Sequence, residues 1–150
     1  MITITRDVVK SRLYVKAECS TEMNGHYDMS GQLLFLSIRG HGKFKVIIRK
    51  GVFSVTCALA KTTKPDGKIH WHVKDWKYTF ELRDKSTLVF ENLFEGNELL
   101  ARAAREVIDS GSNDVVLEIG KPIFDSIMGT ITSTINQFYD AVPEEDLALD

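Results

Sequence analysis

The sequence contains no apolar run near the roughly 18 residues that a membrane-spanning helix needs; stretches such as Leu33–Leu36 are far shorter. No transmembrane helix is expected. The opening MITITRDVVK lacks the apolar core of a signal peptide, so the chain reads as a mature, an intracellular or an N-terminally shortened form. Cysteine is scarce: Cys19 and Cys57 stand alone, without a CxxC pair, and offer no disulfide framework. Both fall on apolar-facing positions of alternating stretches and read either as buried free thiols or as one disulfide. Catalytic signatures are missing too. There is no GxSxG, HExxH or GxGxxG, and GHGK, Gly40–Lys43, has neither the spacing nor the hydroxyl of a phosphate loop. No enzyme and no cofactor are expected. Tandem repeats, heptads and low-complexity segments are also absent.

What is present is a chain of 150 residues, 43% hydrophobic and 27% charged, the profile of one soluble domain. A domain of this size buries roughly 68–70% of its extended-chain surface and folds without staples. The formal charge of -2 hides a division: residues 1–90 carry 16 Lys or Arg against 8 Asp or Glu, and residues 91–150 carry 3 against 13. Halves of opposite sign attract when packed together, whereas a nucleic-acid binder displays its positive excess unopposed, so no nucleic-acid partner is expected.

Before residue 91 the pattern is period two. In RLYVKAEC, Leu13, Val15, Ala17 and Cys19 share one face. YDMSGQLLFLSI follows, interrupted by Gly31, and then Phe44, Val46 and Ile48 alternate after a bend expected at Gly40–Gly42. Phe53, Val55, Cys57 and Leu59 lead into KPDGK, Lys64–Lys68, the clearest hairpin turn. Ile69, Trp71 and Val73, then Trp76, Tyr78, Phe80 and Leu82, mark the next strands, and STLVFEN ends a count of about six or seven.

From Glu98 the period becomes helical, with Leu99, Leu100, Ala103 and Val107 on one stripe that stops near DSGSND. Beyond Pro122, Ile123, Ile127, Ile131, Ile135, Phe138 and Val142 form a second stripe, along a helix from about 122 to 141 and about 30 Å long. Thr130, Thr132, Ser133 and Thr134 are weak helix formers, so this helix depends on packing its stripe against a sheet. Pro122 either starts it or kinks a longer helix beginning near Asn113, and the second reading is preferred because the upstream apolar residues fall near the same face.

His70 and His72 flank Trp71. With His26, His41 or Asp75 they could make a metal site, but solvent-facing histidines opposite a core face are the simpler reading, and no metal is expected. Arg39, Lys43, Lys45, Arg49 and Lys50 read as a solvated strand face. The surplus is apolar: a curved sheet around one long helix leaves an internal tube suited to an elongated hydrophobic molecule.

Three segments, GHYDMSGQLLFLSIRGHGKFKVIIRKGVFSV, DGKIHWHVKDWKYTFELRDKSTLVFENLFEGNELL and EIGKPIFDSIMGTITSTINQFYDAVPEEDL, resemble the insect takeout and haemolymph juvenile-hormone-binding family. The most specific signals are FENLF-GN-LL, Phe90–Leu100 with Glu95 at the variable place, and VPEEDL, Val142–Leu147. The resemblance implies an α+β tubular lipid-binding fold, a long C-terminal helix wrapped by a highly curved antiparallel sheet. It implies a secreted, extracellular protein carrying a juvenile hormone-like terpenoid or fatty-acyl lipid, and a domain over residues 1–150 that lacks the family's N-terminal portion. Phe90–Phe94 would leave the sheet, and Leu99 and Leu100 would anchor the next helix.

The sequence thus predicts a non-enzymatic carrier with Phe35, Phe53, Trp71, Phe80, Ile127, Ile131 and Phe138 lining the tunnel. Its expected partner is a small hydrophobic ligand, with a homodimer possible and no integral membrane association. The alternative is a truncated interaction module that dimerises or binds a protein through open sheet edges without carrying lipid.

Overall fold

Period-two alternation condenses here into a few long strands. The computed structural model describes residues 1–147. Its strands are β1 (Ile2–Asp7), β2 (Arg12–Leu33), β3 (Leu36–Thr63), β4 (Ile69–Leu82) and β5 (Thr87–Phe90). The expected break at Gly31 does not occur, because β2 continues through it; β3 likewise continues through Gly40, Gly42 and Gly51, with Gly42 at φ +154. The Lys64–Lys68 turn forms as read. Gly67 adopts φ +77, its N–H donates to the Lys64 carbonyl at 2.9 Å, and the Lys68 N–H donates to Asp66 Oδ1 at 2.8 Å.

The antiparallel sheet runs in the order β1-β2-β3-β4, with β5 also on β3 in the register Phe44↔Phe90 to Ile47↔Thr87. It is therefore an open path with β1 and β4 at its ends and β5 as a further strand beside it. The wrapped, tubular arrangement expected from the sequence is corrected: the sheet neither closes nor curls strongly. Closure needs the first and last strands to pair, and β1 pairs with β2 alone, from Ile2↔Ala17 to Asp7↔Arg12.

After β5 a single 3-10 turn, Phe94–Gly96, leads to α1 (Glu98–Ser110), α2 (Ser112–Ala141) and α3 (Glu144–Leu147). Asn97 caps α1 by accepting the Leu100 N–H at 3.2 Å. α2 is one helix with Pro122 inside it, as preferred from the sequence. It starts at Ser112, near the expected Asn113, whose Oδ1 accepts the Ser86 N–H at 2.8 Å and whose Nδ2 donates to the Asp84 carbonyl at 3.1 Å.

The chain divides into two compact units. One holds residues 1–17, 53–79 and 122–150, the other 18–52 and 80–121. In the second unit, Leu33, Ile38, Val46, Ile48, Leu88, Phe90 and Leu93 bury against Ala101, Ala104 and Ile108 of α1 and Val115 and Val116 of α2. The expected α1 stripe is rotated: Leu99 and Leu100 are exposed, and the alanines face the sheet because a small side chain allows closer approach. In the first unit, Cys57, Leu59, Trp71 and Val73 pack with Tyr139 of α2. Cys57 is a buried free thiol, pushed up in pKa by that burial, and Cys19 is free and exposed rather than core-facing.

Gly40 sits where three groups converge. A Cβ there would lie 2.8 Å from Tyr27 Oη, 2.9 Å from the Asn92 carbonyl oxygen and 3.1 Å from Leu93 Cα. Two of these are backbone, so Gly40→Ala should destabilise the chain by about 1–3 kcal/mol in urea unfolding, and an unchanged midpoint would show that the Asn92–Leu93 backbone gives way freely.

Candidate functional site

The first unit contributes an apolar row built by helical spacing. On α2, Ile123, Ile127, Ile131 and Phe138 lie along one arc and are 43–52% exposed, whereas Phe124, Met128 and Tyr139 on the adjoining arc are buried. The stripe expected to face the sheet is therefore turned partly to solvent. α2 carries an apolar band wider than the sheet covers, and the bulkier Phe124, Met128 and Tyr139 take the covered half. Phe124 meets Phe53 of β3 edge-to-face at 5.1 Å between centroids. From Ile123 to Phe138 the row runs about 22 Å, at 1.5 Å rise per residue.

Of the seven residues proposed from the sequence, Ile127, Ile131 and Phe138 are on this row. Trp71 is buried, edge-to-face with Tyr139 at 5.6 Å and under the Arg6 guanidinium at 4.5 Å. Phe53 is half-buried on β3. Phe35 and Phe80 belong to the second unit: Phe35 is 78% exposed in the β2–β3 turn, and the Phe80 ring lies against Gly51. Ile123, which is not among those seven, stands on the same row.

The two ends of the β1-β2-β3-β4 path differ. At β4, Asn136 of α2 accepts the Val73 N–H at 2.8 Å and donates to the Val73 carbonyl at 3.2 Å, so a side-chain amide occupies backbone groups that an end strand leaves over. At β1, Ile2 and Ile4 are 71% and 64% exposed, and Ile2–Thr5 bring no charge, proline or bulge to blunt the edge.

The charge division of the sequence is realised around the C-terminal end of α2. Lys64 pairs with Asp140, Lys61 and Arg6 with Glu144, and Lys68 with Glu145. The Lys64 bond holds the Asp140 carboxyl below the usual range, and Lys61 does the same for Glu144. In the second unit an open groove of about 530 Å³ is lined by Asn24, His26, Lys43, Lys45, Val89 and Glu91. Lys45 is engaged there by Glu22 at 2.9 Å, and Phe44 and Val89 supply the apolar part of the lining.

Sequence reasoning placed His70 in solvent; it is buried, while Ile69 beside it is exposed, so the alternation slips at the start of β4. Among the described residues no group of three or more His, Cys, Asp or Glu could hold a metal, and no helix is long and apolar enough to cross a membrane.

Comparisons now add to this geometry. A family model described as haemolymph juvenile hormone binding protein (JHBP) matches residues 4–149. The crystal structure of Epiphyas postvittana Takeout 1 superposes with a TM-score of 0.85 at 25% identity, over 95% of this chain and 66% of that one. This chain thus spans just under two thirds of that protein's length. Comparison with curated proteins gives no match.

Proposed function

Since the chain belongs to the haemolymph juvenile hormone binding protein family, a family of non-catalytic lipid carriers, we propose that it is a non-enzymatic interaction module whose β1 edge pairs with a second copy of itself. The observation that carries this reading is the contrast between two strands: Asn136 occupies backbone groups of β4, whereas β1 ends the strand path with Ile2 and Ile4 71% and 64% exposed. A second copy fits the edge because an antiparallel, two-fold pairing sets the charged end of each strand, Arg6 and Asp7, near the neutral Ile2 and Thr3 of the other. No like charges are opposed, and β-branched residues face one another.

The α2 row favours a second reading, carriage of a small hydrophobic molecule in an extracellular setting, with Ile127, Ile131 and Phe138 as contacts. An uncovered apolar band of this length suits an elongated terpenoid or acyl chain laid along it, without enclosure.

One preparation separates the two. Sedimentation of the purified chain beside Ile4→Lys, together with organic extraction and mass spectrometry, reads both mass and guest. A lipid-free dimer that becomes a folded monomer in Ile4→Lys supports edge pairing. A monomer with near-stoichiometric extracted lipid overturns it in favour of carriage.

A further inference from the structure

His70 sits beneath the β3–β4 turn with both ring nitrogens engaged. Nδ1 is 2.8 Å from the carbonyl oxygen of Tyr139, and Nε2 is 2.7 Å from Asp66 Oδ2. The ring is buried, at 1% exposure, while Asp66 is on the exposed turn. A carbonyl oxygen only accepts, so Nδ1 must carry hydrogen. Asp66 is held ionised, since the Lys68 N–H, then His70, keep its carboxyl below the usual range, so Nε2 must carry hydrogen too. The geometry requires an imidazolium.

Its position gives that charge leverage. Tyr139 lies in the last turn of α2, where carbonyls lack intrahelical donors and the helix end favours a cation. We propose that His70 is a pH-operated latch: protonated, it ties the Lys64–Lys68 turn to the C-terminal turn of α2, and deprotonated it must release one of the two.

A neutral imidazole has a single N–H for two acceptors. The Tyr139 carbonyl is fixed in its helix and Asp66 is on the exposed turn, so the turn is the side that moves. The other charged or titratable groups facing the latch are Lys64, which opposes the imidazolium, and Asp140 on α2, which Lys64 pairs and which His72 also faces. Lys68 is engaged by Glu145. Lysines and carboxylates do not change charge between about pH 5.5 and 8.5, and the Tyr139 phenol, raised by burial, stays neutral there. The bonds to Tyr139 first, then to Asp66, raise the His70 pKa above its ordinary value against the opposing effect of burial. The latch is therefore fully closed below about pH 6.5, the unfolded value, and opens as pH rises through the folded one.

Long-range nitrogen-15 NMR of the native chain, with amide exchange corrected for intrinsic rates, tests this without any variant. Expected are both His70 nitrogens protonated at pH 6, a midpoint above 6.5, and protection at Lys68–His70 and at Val142 that falls with rising pH by about tenfold per unit of that displacement. His70→Gln and Asp66→Asn should flatten the step, and His72→Gln should leave it. A midpoint at or below 6.5, a pH-independent protection, or a step that survives in His70→Gln overturns the latch.

Discussion

Leu93→Ala should lower the unfolding free energy by about 3 kcal/mol, within the about 2–5 kcal/mol range for a buried leucine truncated in a packed core. Leu93 is among the largest fully buried side chains and belongs to the cluster of Leu88, Phe90, Ala101 and Ala104. Its neighbours cannot collapse easily into the space. Asn92, Phe94 and Glu95 around it hold left-handed φ values of 56, 54 and 50°, conformations that side-chain-bearing residues keep only when packing enforces them. Gly40, bridged to Leu93 and pressed against the Asn92 carbonyl, closes the other side. The measurement is a urea transition followed by circular dichroism. A loss under about 1 kcal/mol would show that the chain refills the site and that the FENLF segment is held by its backbone alone.

That segment shows what the residues disclosed and what they withheld. The motif Phe90–Leu100 reads as an exit from sheet into helix, and it is one: β5 ends at Phe90 and α1 begins at Glu98. The reading failed at Leu99 and Leu100, which look like anchors because they are large, whereas burial fell to Ala101, Ala104 and Ile108. Helical spacing reveals an apolar arc and not which part of it the sheet will touch. Period two is less ambiguous, since a strand has only two faces: Val46 and Ile48 went inward as expected. It still missed His70, because a buried imidazole is licensed by Asp66 and the Tyr139 carbonyl, and the second is 69 residues away. The openness of the sheet was equally hidden, since which strands become ends depends on pairing and not on any strand's own composition.

The α2 arc turns that ambiguity into a measurable contrast. Met128→Asp should destabilise by more than the about 2–5 kcal/mol of a buried methionine truncation, because a carboxylate is also forced out of water on the covered arc, one turn from Phe124. Ile127→Asp, one residue earlier and 48% exposed, should shift stability by about 1 kcal/mol or less. The pair isolates the rotation of the helix, since both changes place the same charge on the same turn. If an apolar guest lies along the row, Ile127→Asp should also lose uptake of a fluorescent fatty acid while its unfolding stays cooperative, and Ile131→Asp should behave alike. Equal destabilisation by the two aspartates would mean that the Ile127 arc is covered after all. Unchanged uptake in Ile127→Asp and Ile131→Asp would remove the row from any carrier role and leave the β1 edge as the surface through which this chain acts.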